Sequence, residues 1–318
     1  MTRLTSISLF SIVLFTGAGA SAGVEDFNGR WNITVKNEPK ARAWWLEVNG
    51  AGSAGISGKF VGAPGGQLDV IPQIRTEGNE LVWVFERAYQ RPGVQSKGIY
   101  RARIEGGQLV GTRDTGPANP RLSFTGKRAP VLRETDDGKW KAGKPVSLLN
   151  GKDMGGWYSR VPGQSVTWFV QDGVMKNGEK AVDIVSEAKF WNFKMRVEFK
   201  VADRSNSGIG LRGRYEVQIY GDHGRAPDGH GNGAVYSRIV PAVNATLPQD
   251  QWQVFEITLI GRQVTVVLNG KTLVDRKEIE GLTAMAHDPN EDQPGPISLQ
   301  GDHGPVAFRK IEVTPLVR

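Results

Sequence analysis

The sequence runs to 318 residues with a formal charge of +7, 39% hydrophobic and 23% charged residues, 41 glycines and no cysteine. These fractions suit globular domains rather than a disordered chain, and the lack of cysteine excludes disulfides, thiolate nucleophiles and zinc–thiolate sites. Basic residues are scattered singly among acids, with no Lys/Arg run and no nucleic-acid motif, so the charge reads as a solvated surface and nucleic acid is not an expected partner.

The chain opens like an export signal. Arg3 precedes the apolar run Leu9 to Phe15, and Ala20-Ser21-Ala22 offers an A-x-A cleavage site before Gly23. The run is far short of the roughly 20 apolar residues that cross a bilayer, and no later stretch is long enough, so no membrane span is expected. Residues 1–22 are therefore read as a removed signal peptide and the mature protein as periplasmic or secreted. What remains exceeds a single core of about 100–200 residues, which predicts two domains.

Residues 23–128 form the first. Short apolar/polar alternations follow one another from Arg30 to Lys36, Ala43 to Val48, Gly55 to Val61, Leu68 to Arg75, Leu81 to Arg87, Gly98 to Ile104, Leu109 to Arg113 and Leu122 to Lys127. Turn signals such as Glu77-Gly78-Asn79 and Glu105-Gly106-Gly107 separate them. About eight such strands without a helical period predict a small antiparallel β-barrel or sandwich, to which no chemistry is assigned. Residues 129–145 are polar, contain Pro130 and Pro145, and read as a linker.

Strand patterning resumes over 146–318 with longer strands. Lys194 to Val201 alternates strictly, and Phe255, Ile257 and Leu259 alternate with Glu256, Thr258 and Ile260. Asn269-Gly270 marks a two-residue hairpin. Long antiparallel strands with one apolar face predict a two-sheet sandwich, one sheet of which offers a polar face. The whole chain is thus expected to be all-β.

Three segments gather polar groups at strand positions. Tyr215, Val217 and Ile219 would point to the core, leaving Arg214, Glu216 and Gln218 on the opposite face. Gly221-Asp222-His223-Gly224 follows that strand, and the same string recurs as Gly301-Asp302-His303-Gly304 after Ile297 to Gln300. Either string can be a plain turn; the repeat beside a polar strand face favours a site, with the aspartates orienting their histidines or holding an ion.

These residues also carry a family resemblance. Val146-Ser147-Leu148-Leu149-Asn150-Gly151, Gly156-Trp157, Trp168 to Val174, Asn206-Ser207-Gly208-Ile209, Tyr215-Glu216-Val217-Gln218-Ile219, Gln251-Trp252, Asn269-Gly270 and Leu299-Gln300-Gly301-Asp302-His303-Gly304 appear in order. Residues 146–318 thereby resemble the 3-keto-disaccharide hydrolase domain family; residues 23–145 do not share the resemblance, and the Gly221–Gly233 stretch departs from it. The resemblance implies a concanavalin A-like jelly-roll sandwich that acts on 3-keto-glycosides, with carbohydrate as the partner.

The C3 ketone of such a sugar acidifies the hydrogen at C2. A base can remove it, the enediolate expels the C1 substituent, and water can add to the resulting double bond. The site needs a base near C2, positive charge or donors near the C3 oxygen, and an acid for the leaving oxygen. Glu216 or a GDHG histidine, with His303 preferred, is the expected base. Arg212, and Arg214 beside it, would stabilise the enediolate; Gln218, Gln300, Asp302 and His223 would bind substrate. A divalent metal ion held by carboxylate and imidazole is an alternative electrophile. Two rival functions stand beside this one. Ordinary glycoside hydrolysis would want E-x-D-x-E, but Gln218 and Tyr220 occupy the second and third acid positions. A non-catalytic carbohydrate-binding module would rely on exposed aromatic platforms and amides instead.

Overall fold

The structure is a computed structural model that describes residues 23–37, 42–62, 66–88, 95–116, 121–178 and 181–318; the expected signal peptide lies outside them. Nine strands build the first sheet: β1 (Gly29–Val35), β2 (Trp44–Asn49), β3 (Ser57–Val61), β4 (Leu68–Val70), β5 (Gln73–Glu77), β6 (Glu80–Ala88), β7 (Gln95–Glu105), β8 (Gln108–Asp114) and β9 (Leu122–Arg128). Their order is β4-β3-β2-β1-β9-β8-β7-β6-β5. Every neighbour is sequential except the antiparallel β1–β9 pair, which joins the two ends of the meander. The two edges, β4 and β5, are separated only by Ile71-Pro72, so the sheet is an up-and-down barrel left open at one seam. Leu68 to Arg75, expected as one strand, is two because Pro72 lacks a ladder N–H and fits only at such an edge.

Trp31, Trp44, Phe60, Trp83, Tyr100 and Phe124 fill the barrel. Trp83 stacks on Tyr100 with centroids 4.9 Å apart, and Trp44 meets Phe60 edge-on at 5.8 Å, geometries that add about 0.5–1.5 kcal/mol per pair beyond area burial. Along β1 and β2, however, both faces are buried. Asn32 points away from the barrel core yet is fully buried, because its amide donates to Glu291 Oε2 at 2.6 Å and Pro289 O at 3.0 Å. Trp45, also outward, sits in a cluster with Ala43, Val61, Leu282 and Ala286. That outer face is where the barrel docks on the second half of the chain.

The second half is a sandwich of two antiparallel sheets. One runs Phe169–Gln171, Val174–Lys176, Val306–Val317, Phe193–Val201, Gln253–Ile260, Gln263–Leu268, Lys271–Glu278; the other runs Trp157–Ser159, Ile184–Phe190, Gly295–Leu299, Asn206–Leu211, Tyr215–Tyr220. The alternation of Phe193–Val201 buries Phe193, Met195, Val197, Phe199 and Val201 against the facing sheet, as period-2 geometry requires. This is the expected jelly-roll sandwich, and the chain is all-β. Within the segment read as a linker, Lys141–Ala142 pairs with the last strand and Glu134 accepts from Trp191 Nε1 at 3.1 Å; Val146–Ser147, just beyond it, pairs there too. Among the described residues no helix is long and apolar enough to cross a membrane.

Candidate active site

The shorter sheet of the sandwich has a buried second face. Tyr215, Val217 and Ile219 point to the core, while Glu216 and Gln218 are each only 2% exposed on the other side. The Thr283–His287 segment and the barrel cover this face. Glu216 N–H donates to Thr283 Oγ1 at 2.9 Å, and Thr283 N–H to Arg214 O at 3.1 Å. The neighbouring strand contributes glycines for a steric reason. A Cβ on Gly208 would lie 2.6 Å from Glu216 Oε1, so the carboxylate lies over a strand that has no side chain there.

A cleft opens on this face. Its walls are Arg42, Arg160, Asp183, Asn206, Glu216, Gln218, Tyr236, Ala284, Met285, Gln300, Asp302 and His303. It encloses about 100 Å³, below the roughly 300–1,000 Å³ of pockets that engulf a whole ligand, so it admits one end of a substrate and leaves the rest at the mouth. Glu216 Oε2, Gln218 Oε1 and Gln300 Oε1 are buried without a hydrogen-bond partner. Three buried acceptors left unpaired on this face ask for a ligand with several hydroxyls.

Electrostatics single out Glu216. Burial, reinforced by the charges of Asp183 and Asp302 and opposed by Arg160, pushes its carboxyl up to about 8. Asp183 has both oxygens engaged, Oδ2 by Arg160 Nη1 at 3.0 Å and Oδ1 by Gly301 N–H at 3.0 Å. Those two bonds also tie Arg160 and the second GDHG turn together. Asn177 fixes that turn from behind, donating to Gly301 O at 3.1 Å and Gly304 O at 2.9 Å. At the mouth, His303 Nδ1 contacts Asp302 Oδ1, and the imidazole is 44% exposed, free to meet a ligand.

Of the residues singled out from sequence, Glu216, Gln218, Gln300, Asp302 and His303 therefore line one cleft. Arg212, Arg214 and His223 do not. Leu211 pairs with Tyr215, so residues 212–214 form a hairpin loop in which Arg212 (φ 53) and Gly213 (φ 64) are left-handed. The alternation that would have put Arg214 beside Glu216 stops before it gets there. Arg212 is fully buried, its guanidinium 4.3 Å from the Trp191 ring centroid and donating to Gly261 O. Arg214 is spent on Asp288 at 3.0 Å and Gln293 O at 2.7 Å. The first GDHG string is a structural turn: Asp222 is buried and accepts from Thr246 Oγ1 at 2.6 Å and Asn232 N–H at 2.9 Å, and His223 borders a separate cavity with Pro248 and Gln253.

Sequence reasoning missed Arg42, Arg160, Asp183 and Tyr236. No motif marks the first three; Tyr236 closes the Gly233-Ala234-Val235-Tyr236 string that also belongs to the family resemblance, and Asn206 heads the strand paired with Tyr215–Tyr220. Among the described residues no group of three or more His, Asp or Glu is placed to hold a metal ion. A larger depression of about 730 Å³ lies on the outer face of the barrel, where Arg101 pairs with Glu77 and Glu80 and Arg121 with Asp114, a salt-bridged surface rather than a reactive one.

Residues 144–314 match the profile of the 3-keto-alpha-glucoside-1,2-lyase-like domain family. Among solved structures, a Parabacteroides distasonis protein provisionally described as a glycosyl hydrolase is 28% identical, covering 58% of this chain and 91% of its own at a TM-score of 0.45. A second from that organism, described in the same words, is 21% identical over 54% of this chain and 94% of its own, also at 0.45. A carbohydrate-binding module from Bacillus subtilis is 13% identical over 50% of this chain and 92% of its own, at a TM-score of 0.32. No curated protein matches the sequence.

Proposed function

The chain belongs to the 3-keto-alpha-glucoside-1,2-lyase-like domain family, and from that premise we propose that it cleaves 3-keto-glycosides, exported ahead of the work by the segment Met1–Ala22, with Glu216 as the base. The observation that carries the reading is a buried carboxyl on the cleft floor with one oxygen unpartnered and its pKa pushed up to about 8 by burial and then by the neighbouring acids. A carboxylate raised this far is a stronger base than an ordinary glutamate and still ionises in mildly alkaline water, the compromise that general-base catalysis requires.

The step balances as follows. Glu216 takes the C2 proton, and the C–H electron pair forms the enediolate with the C3 oxygen. That oxygen is stabilised by Arg160, which lies in the cleft wall. The enediolate collapses to restore the C3 carbonyl, a C1–C2 double bond forms, and the C1–O bond breaks. His303 at the mouth supplies the proton to the departing oxygen, and Gln218 and Gln300 accept from sugar hydroxyls. Water added later across the double bond gives the hydrolysed sugar. Arg160 takes the electrophilic role first assigned to Arg212 and Arg214, neither of which lines the cleft.

Ordinary glycoside hydrolysis is less well served. It needs a second carboxylate free to act about 5–5.5 Å away or across the ring, whereas both oxygens of Asp183 are already bonded. The deciding experiment compares release of the aglycone from a 3-keto-disaccharide and from its unoxidised parent. Turnover of the keto sugar alone, lost at least 100-fold in Glu216→Gln and reduced in His303→Ala, is the expected result; equal rates in wild type and Glu216→Gln refute the assignment.

A further inference from the structure

Among the described residues, the barrel contributes one, Arg42, to the cleft wall. Arg42 lies in the same wall set as Glu216 and His303, although it belongs to the part of the chain outside the family match. It is not a trailing surface side chain. The next residue, Ala43, is buried, and its N–H donates to Ala286 O at 2.9 Å, pinning the backbone to the segment that gives Ala284 and Met285 to the cleft. Two residues on, Trp45 lies beneath the Arg238 guanidinium at 4.2 Å; a Cβ on Gly281 would come within 2.1 Å of Trp45 Nε1, so the docking leaves no slack. From the other side Gly66 closes in. A Cβ there would stand 3.1 Å from Arg42 Nη1 and 3.0 Å from the Ala284 methyl, and its φ of +88° is a glycine conformation.

The charges explain what such a wedge is for. The sandwich brings Asp183, Glu216 and Asp302 to the cleft, and its own arginine, Arg160, already serves Asp183 at 3.0 Å and Ala286 O at 3.4 Å. Arg42 brings a second guanidinium into the same wall. Its planar fork matches two oxygens on adjacent carbons, the arrangement of the C2 hydroxyl and C3 carbonyl of a keto sugar. We propose that Arg42 is a substrate-binding residue lent by the amino-terminal barrel, and that the barrel is a working wall of the active site rather than an appended module. The inference rests on the keto-sugar reading and deepens it by giving the C2 hydroxyl a partner and the C3 oxygen a second one beside Arg160.

The test measures binding apart from turnover. A 3-keto-disaccharide is titrated calorimetrically into the full chain carrying Glu216→Gln, alone and combined with Arg42→Gln or Arg42→Lys. Loss of a charge-assisted hydrogen bond predicts a Kd roughly 10–100-fold weaker for Arg42→Gln. Arg42→Lys, which keeps the charge and loses the fork, should fall between and carries the test if Arg42→Gln fails to fold. Lys59→Gln, which cuts an exposed pair with Glu280 at the same interface (3.2 Å), should leave Kd unchanged. Unaltered affinity in both Arg42 variants overturns the proposal. Weakened binding by a protein that never turns the keto sugar over would sink the elimination mechanism and leave the role of Arg42 standing. Absence of any binding by the Glu216→Gln chain would overturn both.

Discussion

Replacing Glu216 with glutamine should stabilise the protein, and by an amount that grows with pH. In the unfolded chain this carboxyl ionises near its ordinary value of 4.5, whereas in the fold burial holds it up at about 8. The folded state therefore binds the proton more tightly than the unfolded state does, and stability falls as pH rises through the interval between the two values. Below pH 4.5 the group costs nothing. At pH 7 the linkage amounts to about 3 kcal/mol, and near pH 9 to about 5 kcal/mol. Glutamine matches the shape of the protonated acid and cannot ionise, so it escapes this cost while filling the same space beside Gly208. Denaturant unfolding of wild type and Glu216→Gln at pH 5, 7 and 9 measures the difference directly, and the gap between them should widen by about 4 kcal/mol from the first to the last. A gap that does not change with pH would show that Glu216 is ordinarily ionised in the fold, and the argument for its reactivity would fail with it.

The same carboxyl predicts that kcat/KM of His303→Ala on a 3-keto-disaccharide, in which no histidine acid titrates, climbs about tenfold per pH unit up to pH 8 and then levels, as a base that must lose its proton requires; a flat profile between pH 6 and 8 in that variant would exclude Glu216 as that base. Asp222→Ala should leave turnover per folded molecule intact while costing about 1–3 kcal/mol, since the buried Asn232 N–H and Thr246 hydroxyl lose their acceptor; loss of activity without loss of stability would return the first GDHG turn to the site. Gly208→Ala drives a methyl to 2.6 Å from Glu216 Oε1 and should destabilise by about 1–3 kcal/mol and cut turnover at least tenfold, with the two read by thermal unfolding and steady-state rates. Trp45→Ala empties the interdomain cluster and should cost about 3–5 kcal/mol; a change below 1 kcal/mol in denaturant unfolding would mean the halves are not docked through it.

The sandwich was legible because its strands are long and one-sided, as in Phe193–Val201, where polar and apolar residues alternate without a break. Glu216 and Gln218 were legible for the same reason: they fall out of phase with Tyr215, Val217 and Ile219. The arginines were misplaced because alternation was carried through a hairpin. A left-handed Arg212 gives no sign of itself in sequence, since that conformation is usually left to glycine or asparagine. The two GDHG strings look identical in one dimension, yet one is held around Asn232 and Thr246 and the other faces Glu216, a distinction made by residues ten or more positions away. Arg160, Asp183 and Arg42 were invisible because each is isolated in the chain and meets its partners only across long-range contacts. The double burial of Trp44-Trp45 was the one hint that the barrel's outer face is covered.

Glu291 has a consequence for how the molecule comes apart. This carboxylate has no exposure to solvent and accepts from Asn32 of the barrel and from Tyr215 and Arg262 of the sandwich. Burial alone would raise its pKa, but the Arg262 pair prevails and keeps it low, so the charge persists in the dry seam. Tyr215 begins the strand that bears Glu216. Undocking the barrel would strip the Asn32 donor from this charge and open the seam to water, and the disturbance would run into the strand that Tyr215 begins. Heating should accordingly produce a single calorimetric transition, the two halves melting in step.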